Sequence, residues 1–244
     1  MIRAAYETGL TSVFSAGIWT DDGKLPQNNS ASYLILSVTH TISCGRNRLL
    51  LNPILRLTML LHDIAKPGDP ALRMMNGIDH FYDHNEAGAV LSKTILRRLK
   101  FDNQTTQMVT TLIAHHDIRF NDALGTGRKH VRRVIHSVGE NLFPYLLDVM
   151  EADISAQSDF MRLKKLTALK ETRQAYHEIL AANDCLTLKD LKINGNQLKA
   201  LGISEGKIIG AILNALLSQV LNNPELNDYE RLKELALKIY QEVQ

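Results

Sequence analysis

Three separated segments of the chain carry side chains that suit metal-assisted hydrolysis. His62 and Asp63 are adjacent and follow the apolar segment ILRLTMLL, His40 precedes them, and Asp153 lies far downstream. Imidazole nitrogens and carboxylate oxygens together suit a borderline or hard divalent ion such as Mn, Fe, Zn, Ni, Co or Mg. Such an ion polarises a phosphoryl oxygen and lowers the pKa of bound water, which makes a nucleophile at neutral pH. We interpret these four residues as candidate ligands of one divalent ion.

Lys66 adds a cation beside the His-Asp pair. It follows His62 by four residues and Asp63 by three, so on a helix its ammonium shares their side and could meet a substrate phosphate. The alternative interpretation is a core histidine next to a helix-capping aspartate. Asp153 has a rival ligand in Asp148, and its own alternative is an ordinary polar position of a helix.

Further histidines are clustered in sequence. The chain has nine, among them His80 and His84, four residues apart, and the adjacent His115 and His116. Histidine is the commonest neutral nitrogen ligand of transition metals, so these clusters are candidates for additional coordination. The alternative is that His84 caps the following helix and that His116 orients a phosphate or is simply exposed.

A basic cluster, RKHVRR, occupies residues 128–133. Its arginines Arg132 and Arg133 are candidate phosphate contacts for a nucleotide or an RNA end. The alternative is a solvated face of a helix.

The apolar spacing that must position these residues is helical almost everywhere. Strand signals are nearly absent, because no sustained alternation and no Asn-Gly pair between β-branched runs is found. We therefore predict an all-α fold. Asn85 is the predicted N-cap of a helix whose apolar stripe is Ala87, Val90, Leu91, Ile95 and Leu99. The predicted helices cover residues 54–64, 85–99, 104–116, 128–138, 141–156 and 161–182.

Changes in sequence character suggest three regions. Residues 1–30 form a lead-in, residues 31–183 a metal-binding helical domain, and residues 184–244 a small C-terminal helical subdomain punctuated by glycines. Asn183 and Asp184 mark the break before the last region.

The bulk composition restricts the class of protein. The formal net charge is +2, which is too mild to indicate nucleic-acid binding without local clustering. The two cysteines, Cys44 and Cys185, have no paired spacing, which argues against a disulfide framework and suits a reducing cytosol. The longest apolar stretches are too short for a membrane span. We therefore expect a cytoplasmic protein without a membrane partner.

The segment LLHDIAKP, with HT upstream and an aspartate downstream, resembles the HD superfamily of metal-dependent phosphohydrolases. HFYDHNEAGA at 80–89, AHHD at 114–117, GENLFPYLLDVMEADISAQ at 139–157 and DLKINGNQLKALGI at 190–203 resemble the C-terminal portion of HD-containing bacterial CCA-adding tRNA nucleotidyltransferases. This resemblance covers almost the whole chain and implies an HD-type helical bundle with a tail. It implies the same metal ligands, His40, His62, Asp63 and Asp153. Superfamily members with two metals add two histidines, for which His84 and His116 stand in position, with Asp63 as the bridge and His115 as a competing choice.

The departures from that family shape the expected function. No Gly-Ser element with a following Asp-x-Asp is found, and the residues before His40 are too few for a nucleotidyltransferase head, so we expect no CCA addition by this chain alone. QNNSAS at 27–32 also replaces the usual proline and histidines. We expect a phosphohydrolase acting on nucleotide or RNA-end phosphate esters. The alternative is a non-catalytic tRNA-binding module, or a fragment that works with a separate nucleotidyltransferase subunit.

Overall fold

The computed structural model of the protein describes residues 52–66, 72–75, 78–81, 83–120, 127–157, 159, 161–203 and 206–243. Within these residues the chain forms nine α-helices and one short β-ribbon. The all-α fold class predicted from the sequence is therefore confirmed. In the part of the chain that the structure describes, every helix is too short or too polar to cross a bilayer.

The helices are numbered in chain order. Two single turns of 3₁₀-helix, at Leu188–Asp190 and Pro224–Leu226, lie among the last of them. The α-helices are α1 (Pro53–Leu61), α2 (His84–Arg98), α3 (Asn103–His115), α4 (Arg128–Val138), α5 (Phe143–Ala156), α6 (Arg162–Ala181), α7 (Gly195–Ala200), α8 (Lys207–Asn222) and α9 (Tyr229–Val243).

The described residues divide into two compact units. The first contains the residues up to Ile118 together with Asp148–Leu163, and the second contains Arg119–Leu147 and Lys164–Gln244. Helices α5 and α6 each contribute residues to both. These units are defined by contacts, whereas the segments 31–183 and 184–244 are defined by sequence character, and that division stays a prediction. The predicted lead-in, 1–30, lies outside the described residues.

No strand is predicted from the sequence between α1 and α2, where the structure forms an antiparallel ribbon. Its strands are β1 (Leu72–Met75) and β2 (Ile78–Phe81), and Leu72 pairs with Phe81 while Met75 pairs with Ile78. The two residues between the strands in sequence are Asn76 and Gly77, which is the strongest short signal for a hairpin. The signal is easily overlooked here because the flanking residues are mostly not β-branched.

The core of the first unit forms where α1, α2 and α3 meet. Leu61, Leu96, Val109 and Ile113 are fully buried there. α1 begins where the side chain of Asn52 accepts a hydrogen bond from the amide of Ile54, with proline in the first turn. Capping thus fixes the start of the helix whose last turn leads into the His-Asp pair.

Helix α2 buries a different face from its apolar stripe. Its buried residues are His84, Gly88, Ser92 and Leu96, spaced four apart, whereas Val90 is 70% exposed. Small residues on the inner face permit close approach: a Cβ added at Gly88 would lie 3.5 Å from the carbonyl oxygen of His62. The helix therefore packs closely against the segment that carries the candidate ligands.

The core of the second unit contains buried side chains of α4, α6 and α8. Phe143 is fully buried, its ring centroid lies 5.1 Å from that of Tyr176, and it meets Phe120 edge-on. Gly139, with φ of 95°, ends α4 in a left-handed backbone conformation that favours glycine. The break between the helices predicted over 128–138 and 141–156 is confirmed.

Candidate metal centre

His62 and Asp63 lie immediately after α1, not within it. The helix ends at Leu61, earlier than the predicted end at residue 64, and the next residues form a tighter turn. The amide of Ile64 donates to the carbonyl of Leu61 at 3.1 Å, and the amide of Lys66 donates to that of Asp63 at 3.1 Å. This turn still buries both side chains, since His62 is 0% exposed and Asp63 7%.

The carboxylate of Asp63 lies between three histidine rings. Its Oδ1 is 3.5 Å from Nε2 of His116 and 3.7 Å from Nε2 of His84, and its Oδ2 is 3.4 Å from Nε2 of His62. These separations exceed those of ordinary N–H···O hydrogen bonds. His62, Asp63 and His116 offer ligand atoms that all lie within 4.8 Å of one another. The two oxygens of one carboxylate thus face different histidines.

Asp153, on α5, faces the same cluster from another helix. Its Oδ1 lies 3.6 Å from Nε2 of His62, and its Oδ2 accepts a 2.8 Å hydrogen bond from Nε2 of Gln157, one turn later. The guanidinium of Arg162 donates in turn to the carbonyl of Gln157. Gln157 and Arg162 were not predicted from the sequence, although a spacing of four residues between Asp153 and Gln157 on a helix is a readable signal.

Backbone carbonyls fix the orientation of two of the histidine rings. Nδ1 of His62 lies 2.9 Å from the carbonyl oxygen of Met59, and Nδ1 of His116 lies 2.7 Å from that of Ile113. A carbonyl only accepts, so each Nδ1 carries the hydrogen and donates it. In the neutral ring Nε2 then has the free lone pair, which is the arrangement typical of metal-binding histidines.

His84 and His116 are brought together by a contact between their helices. Their Nε2 atoms lie 3.4 Å apart. The side-chain amide of Asn85 donates a 2.6 Å hydrogen bond to the carbonyl of Ala114, two residues before His116. Asn85 therefore holds α2 against the end of α3, and its predicted role as N-cap was wrong, because α2 begins at His84 after Asp83.

The electrostatics of the cluster favour a bound positive charge. Burial by itself would lower the pKa of His62, but the carboxylates of Asp153 and Asp63 raise it above its ordinary value. Burial would likewise raise the pKa of Asp63, yet His116, His62 and Lys66 hold it well below its usual range. The pKa of Asp153 is also lowered, against its burial, chiefly by His62. Both carboxylates are thus anionic at neutral pH.

Two buried atoms in the cluster lack a hydrogen-bond partner. Nε2 of His62 and Oδ1 of Asp63 are both shielded from solvent and make no hydrogen bond. Buried polar atoms are nearly always satisfied in native proteins, so such a pair needs an explanation, and an ion is one. Imidazole nitrogens with carboxylate oxygens are a donor set that divalent transition metals accept. The residues present therefore fit a divalent cation.

Lys66 occupies the outer side of Asp63. Its Nζ lies 2.6 Å from Oδ2 of Asp63, and its side chain is 28% exposed. The ammonium is therefore partly open to solvent while it touches the cluster.

Four other predicted site residues remain: His40, His115, Arg132 and Arg133. His40 lies outside the described residues. His115 directs Nδ1 to the carbonyl of Thr111, at 2.8 Å, whereas His116 faces Asp63. Arg132 and Arg133 belong to α4, in the second unit.

The environment of Arg132 differs from the one expected of a phosphate contact. It is 6% exposed and donates to the carbonyls of Leu221 and Asn222 and to the carboxylate of Asp184, at 3.0 Å. We assign it a structural role, since these contacts occupy the guanidinium. Arg133 is exposed on the same helix.

Comparison with known proteins places the chain in a family. Residues 83–236, more than half of the chain, match the family profile of tRNA nucleotidyltransferase domain 2. The chain belongs to the tRNA nucleotidyltransferase domain 2 family. Two curated relatives share its sequence at a moderate level. The A-adding tRNA nucleotidyltransferase of Deinococcus radiodurans is 31% identical over 169 residues, and the CC-adding tRNA nucleotidyltransferase of Thermus thermophilus is 30% identical over 162 residues.

The matched segments make up a larger share of this chain than of the two relatives. They cover 67% and 66% of this chain but only 36% and 35% of the two relatives. This member of the tRNA nucleotidyltransferase domain 2 family thus spans about a third of the length of the curated relatives it matches. The family profile begins at Asp83, so it contains His84, His116 and Asp153 but not the His-Asp pair.

Proposed function

We propose that this chain is a metal-dependent phosphohydrolase of the HD type, built on a tRNA nucleotidyltransferase domain 2. The observation that carries the proposal is the position of Asp63, whose two carboxylate oxygens lie 3.4 to 3.7 Å from Nε2 of three buried histidines. Asp153 supports it by facing His62 from a separate helix.

The ligands divide into two groups around Asp63. His62, Asp63 and Asp153 are the proposed ligands of the first ion, with His40 as the fourth. His84 and His116, on the Oδ1 side of Asp63, are the proposed ligands of a second. A divalent ion here would polarise a phosphoryl oxygen and increase the acidity of water. Mg, Mn, Ni, Zn and Fe are all compatible with this donor set.

Lys66 is the proposed phosphate-binding residue. Its ammonium is partly exposed and lies at the edge of the cluster, so an incoming phosphate oxygen can exchange with the Asp63 carboxylate as its partner. A cation in this place neutralises charge on the phosphoryl group as the reaction proceeds. Arg133 remains a proposed second phosphate contact. Arg132 is buried, and we propose that it only stabilises the fold.

The proposed substrate is a nucleotide or RNA-end phosphate ester. Membership in the tRNA nucleotidyltransferase domain 2 family supports this class, because the two curated relatives are named for adding nucleotides to tRNA. Such an ester brings the anionic charge that a site of cations and histidines recognises.

The test combines metal analysis with hydrolysis of a chromogenic ester. The full chain is purified, its metal content is measured by mass spectrometry, and hydrolysis of bis(p-nitrophenyl) phosphate is followed with added Mn²⁺, Ni²⁺ or Mg²⁺. We expect Asp63→Asn to lose bound metal and to lower activity by more than about 100-fold, since even outer-shell substitutions reduce it by 10- to 100-fold. Glu171→Gln, at an exposed position of α6, is the matched control and should leave both unchanged. Equal activity of wild type and Asp63→Asn would refute the proposal.

A second function is favoured by the family match rather than by the histidine cluster. In this alternative the chain is a non-catalytic tRNA-binding module, or a fragment of a tRNA nucleotidyltransferase that works with a separate nucleotidyltransferase subunit. The match across residues 83–236 supports it, because it includes the tail as well as part of the cluster. Gel-shift titration with tRNA at low salt tests it, since phosphate contacts strengthen as salt falls. Absence of a shift under these conditions excludes this alternative.

A further inference from the structure

The outward face of α2 is apolar in its middle. Val90 is 70% exposed and Leu91 43% exposed, and Ala87 and Thr94 are exposed as well. At 3.6 residues per turn these four span about 100° of the helix circumference, from Val90, opposite the buried stripe, to Leu91, at the edge of that stripe. Exposed apolar side chains grouped on one surface, rather than scattered, mark interaction sites.

The two ends of this face carry opposite charges. Asp83 and Glu86 are exposed at the N-terminal end of α2, and Arg97 and Arg98 are exposed at its C-terminal end. This distribution complements the helix dipole within a single copy. It also makes the face complementary to itself when one copy is turned end over end.

We propose that this face of α2 binds the same face of a second copy of the chain, with the two helices antiparallel. The two-fold axis would pass between Val90 and Leu91, so that Val90 lies opposite Leu91 of the second copy and Ala87 lies opposite Thr94 of the second copy. In this register the acidic end of each helix meets the basic end of the other. Parallel helices would instead place like charges against each other at both ends.

Pairing of this kind is isologous and closed, as in most homodimers. The face of one helix is smaller than the roughly 800 Å² per partner of a standard stable interface, so the dimer forms at high concentration only. Charge pairing at the two ends supplies orientation more than affinity. None of these residues is a proposed metal ligand, so this pairing would form whether or not the chain is a phosphohydrolase.

Sedimentation equilibrium of the full chain tests the interface directly. Over protein concentrations of about 5 to 500 µM, spanning the range of weak association, we expect the weight-average mass to rise from monomer towards dimer. Val90→Glu should keep it monomeric across that range. Leu163→Glu is the matched control, because it makes the same kind of change at a residue that is 81% exposed on another helix, and it should dimerise like wild type. A monomeric wild type at the highest concentration, or dimerisation unaffected by Val90→Glu, overturns the proposal.

Charge exchange and cross-linking test the orientation. A variant with Asp83→Lys and Glu86→Lys, and one with Arg97→Glu and Arg98→Glu, should each stay monomeric, while an equimolar mixture should associate. A mixture of Ala87→Cys and Thr94→Cys chains should form a disulfide under mild oxidation. Ala87→Cys alone should not, because antiparallel pairing separates the two copies of position 87 by about 10 Å along the axis at 1.5 Å per residue. Cross-linking of Ala87→Cys with itself, or no association in the charge mixture, overturns the antiparallel arrangement.

Discussion

The side-chain amide of Asn85 donates a 2.6 Å hydrogen bond to the carbonyl of Ala114. It joins the first turn of α2, next to His84, to the last turn of α3, just before His116. This hydrogen bond therefore helps to position His84 and His116 beside Oδ1 of Asp63, although neither histidine takes part in it.

Replacing Asn85 should therefore weaken both the fold and the metal centre. We expect Asn85→Ala to lower the free energy of unfolding by about 1 to 2 kcal/mol, because a partly buried carbonyl loses its donor. It should also weaken metal binding by about 10-fold, as outer-shell changes do. Denaturant titration and metal titration measure the two effects. Asn214→Ala is the control, since Asn214 makes a similar bond to the carbonyl of Gly210 on an exposed surface. An effect on stability alone would show that Asn85 does not position the histidines.

Gln157 gives a matched test of how Asp153 is oriented. Gln157→Leu removes the donor to Oδ2 of Asp153 but keeps the helix, and we expect metal affinity to fall by about 10-fold. Gln174→Leu removes the same kind of bond, at 3.0 Å to Glu178, one turn apart on an exposed face of α6, and should leave metal affinity unchanged. Isothermal titration of both variants with Mn²⁺ compares them. Equal affinities would mean that Asp153 is held by other contacts.

Gly88 is the position where α2 comes nearest to the His-Asp turn. A Cβ there would lie 3.5 Å from both the carbonyl of His62 and the side chain of Ile113, which is ordinary contact. Gly88→Ala should therefore fit and raise the free energy of unfolding by about 0.5 to 1 kcal/mol, through the lower entropy of the unfolded chain. Gly210→Ala, with no atom within 4 Å, should give a similar gain.

A larger side chain at the same position should have the opposite effect. Gly88→Val adds two methyl groups where the backbone of His62 already stands in contact, and overpacking of this kind costs about 1 to 3 kcal/mol. Denaturant titration of the three glycine variants provides the comparison. Destabilisation by Gly88→Ala itself would show that α2 and the backbone of His62 approach more closely than the 3.5 Å contact allows.

Arg132 should matter for stability rather than for phosphate binding. Its guanidinium is buried against Asp184 and two backbone carbonyls, and removing one partner of a buried ion pair costs about 3 to 5 kcal/mol. We expect Arg132→Ala to lower the unfolding free energy by about 3 to 5 kcal/mol. Arg133→Ala, one residue along α4 and exposed, should change it by less than about 0.5 kcal/mol. Thermal and denaturant unfolding of both variants decide between these roles.

Cys185 provides a pH-dependent prediction. Burial, followed by the charges of Asp190 and Asp184, raises the pKa of its thiol to about 11. The folded state therefore keeps the proton after the unfolded thiol has lost it, and the unfolding free energy falls as the pH rises from about 8.5 towards 11. Cys185→Ala should remove the contribution of this thiol to the fall in unfolding free energy at alkaline pH. Peptide mapping after iodoacetamide treatment at pH 8.5 should show Cys185 unmodified in the folded protein and modified in urea, and rapid labelling of the folded state would contradict the raised pKa.

Much of the helical framework could be predicted from periodicity and end signals. Helix α6, α4 and the break at Gly139 follow directly from apolar spacing and a glycine, because these signals are local. The inner face of α2 could not be predicted in this way. Its burial is decided by close packing at Gly88 and Ser92, so that the apolar side chains of Val90 and Leu91 remain outside.

The candidate site was partly readable from residue types. Residue types suggested His40, His62, Asp63 and Asp153 as a possible ligand set, and the family resemblance implied the same four. It also implied His84 and His116 for a second ion, with His115 as a competing choice. The choice between His115 and His116 depends on how α3 ends. There the ring of His115 points to the carbonyl of Thr111 and the ring of His116 points to Asp63. The role of Arg132 depends on long-range contacts with Asp184 and the end of α8, which no local pattern contains.

The side chains around Asp63 come from four segments that are far apart along the chain: the turn after α1, the start of α2, the end of α3, and α5. Any divalent ion held between them would act as a cross-link that exists only in the folded protein. By mass action, each tenfold rise of free ion above its dissociation constant would then add about 1.4 kcal/mol to the unfolding free energy. A chelator would remove this contribution, so the stability of the folded chain would depend on the concentration of free ion around it.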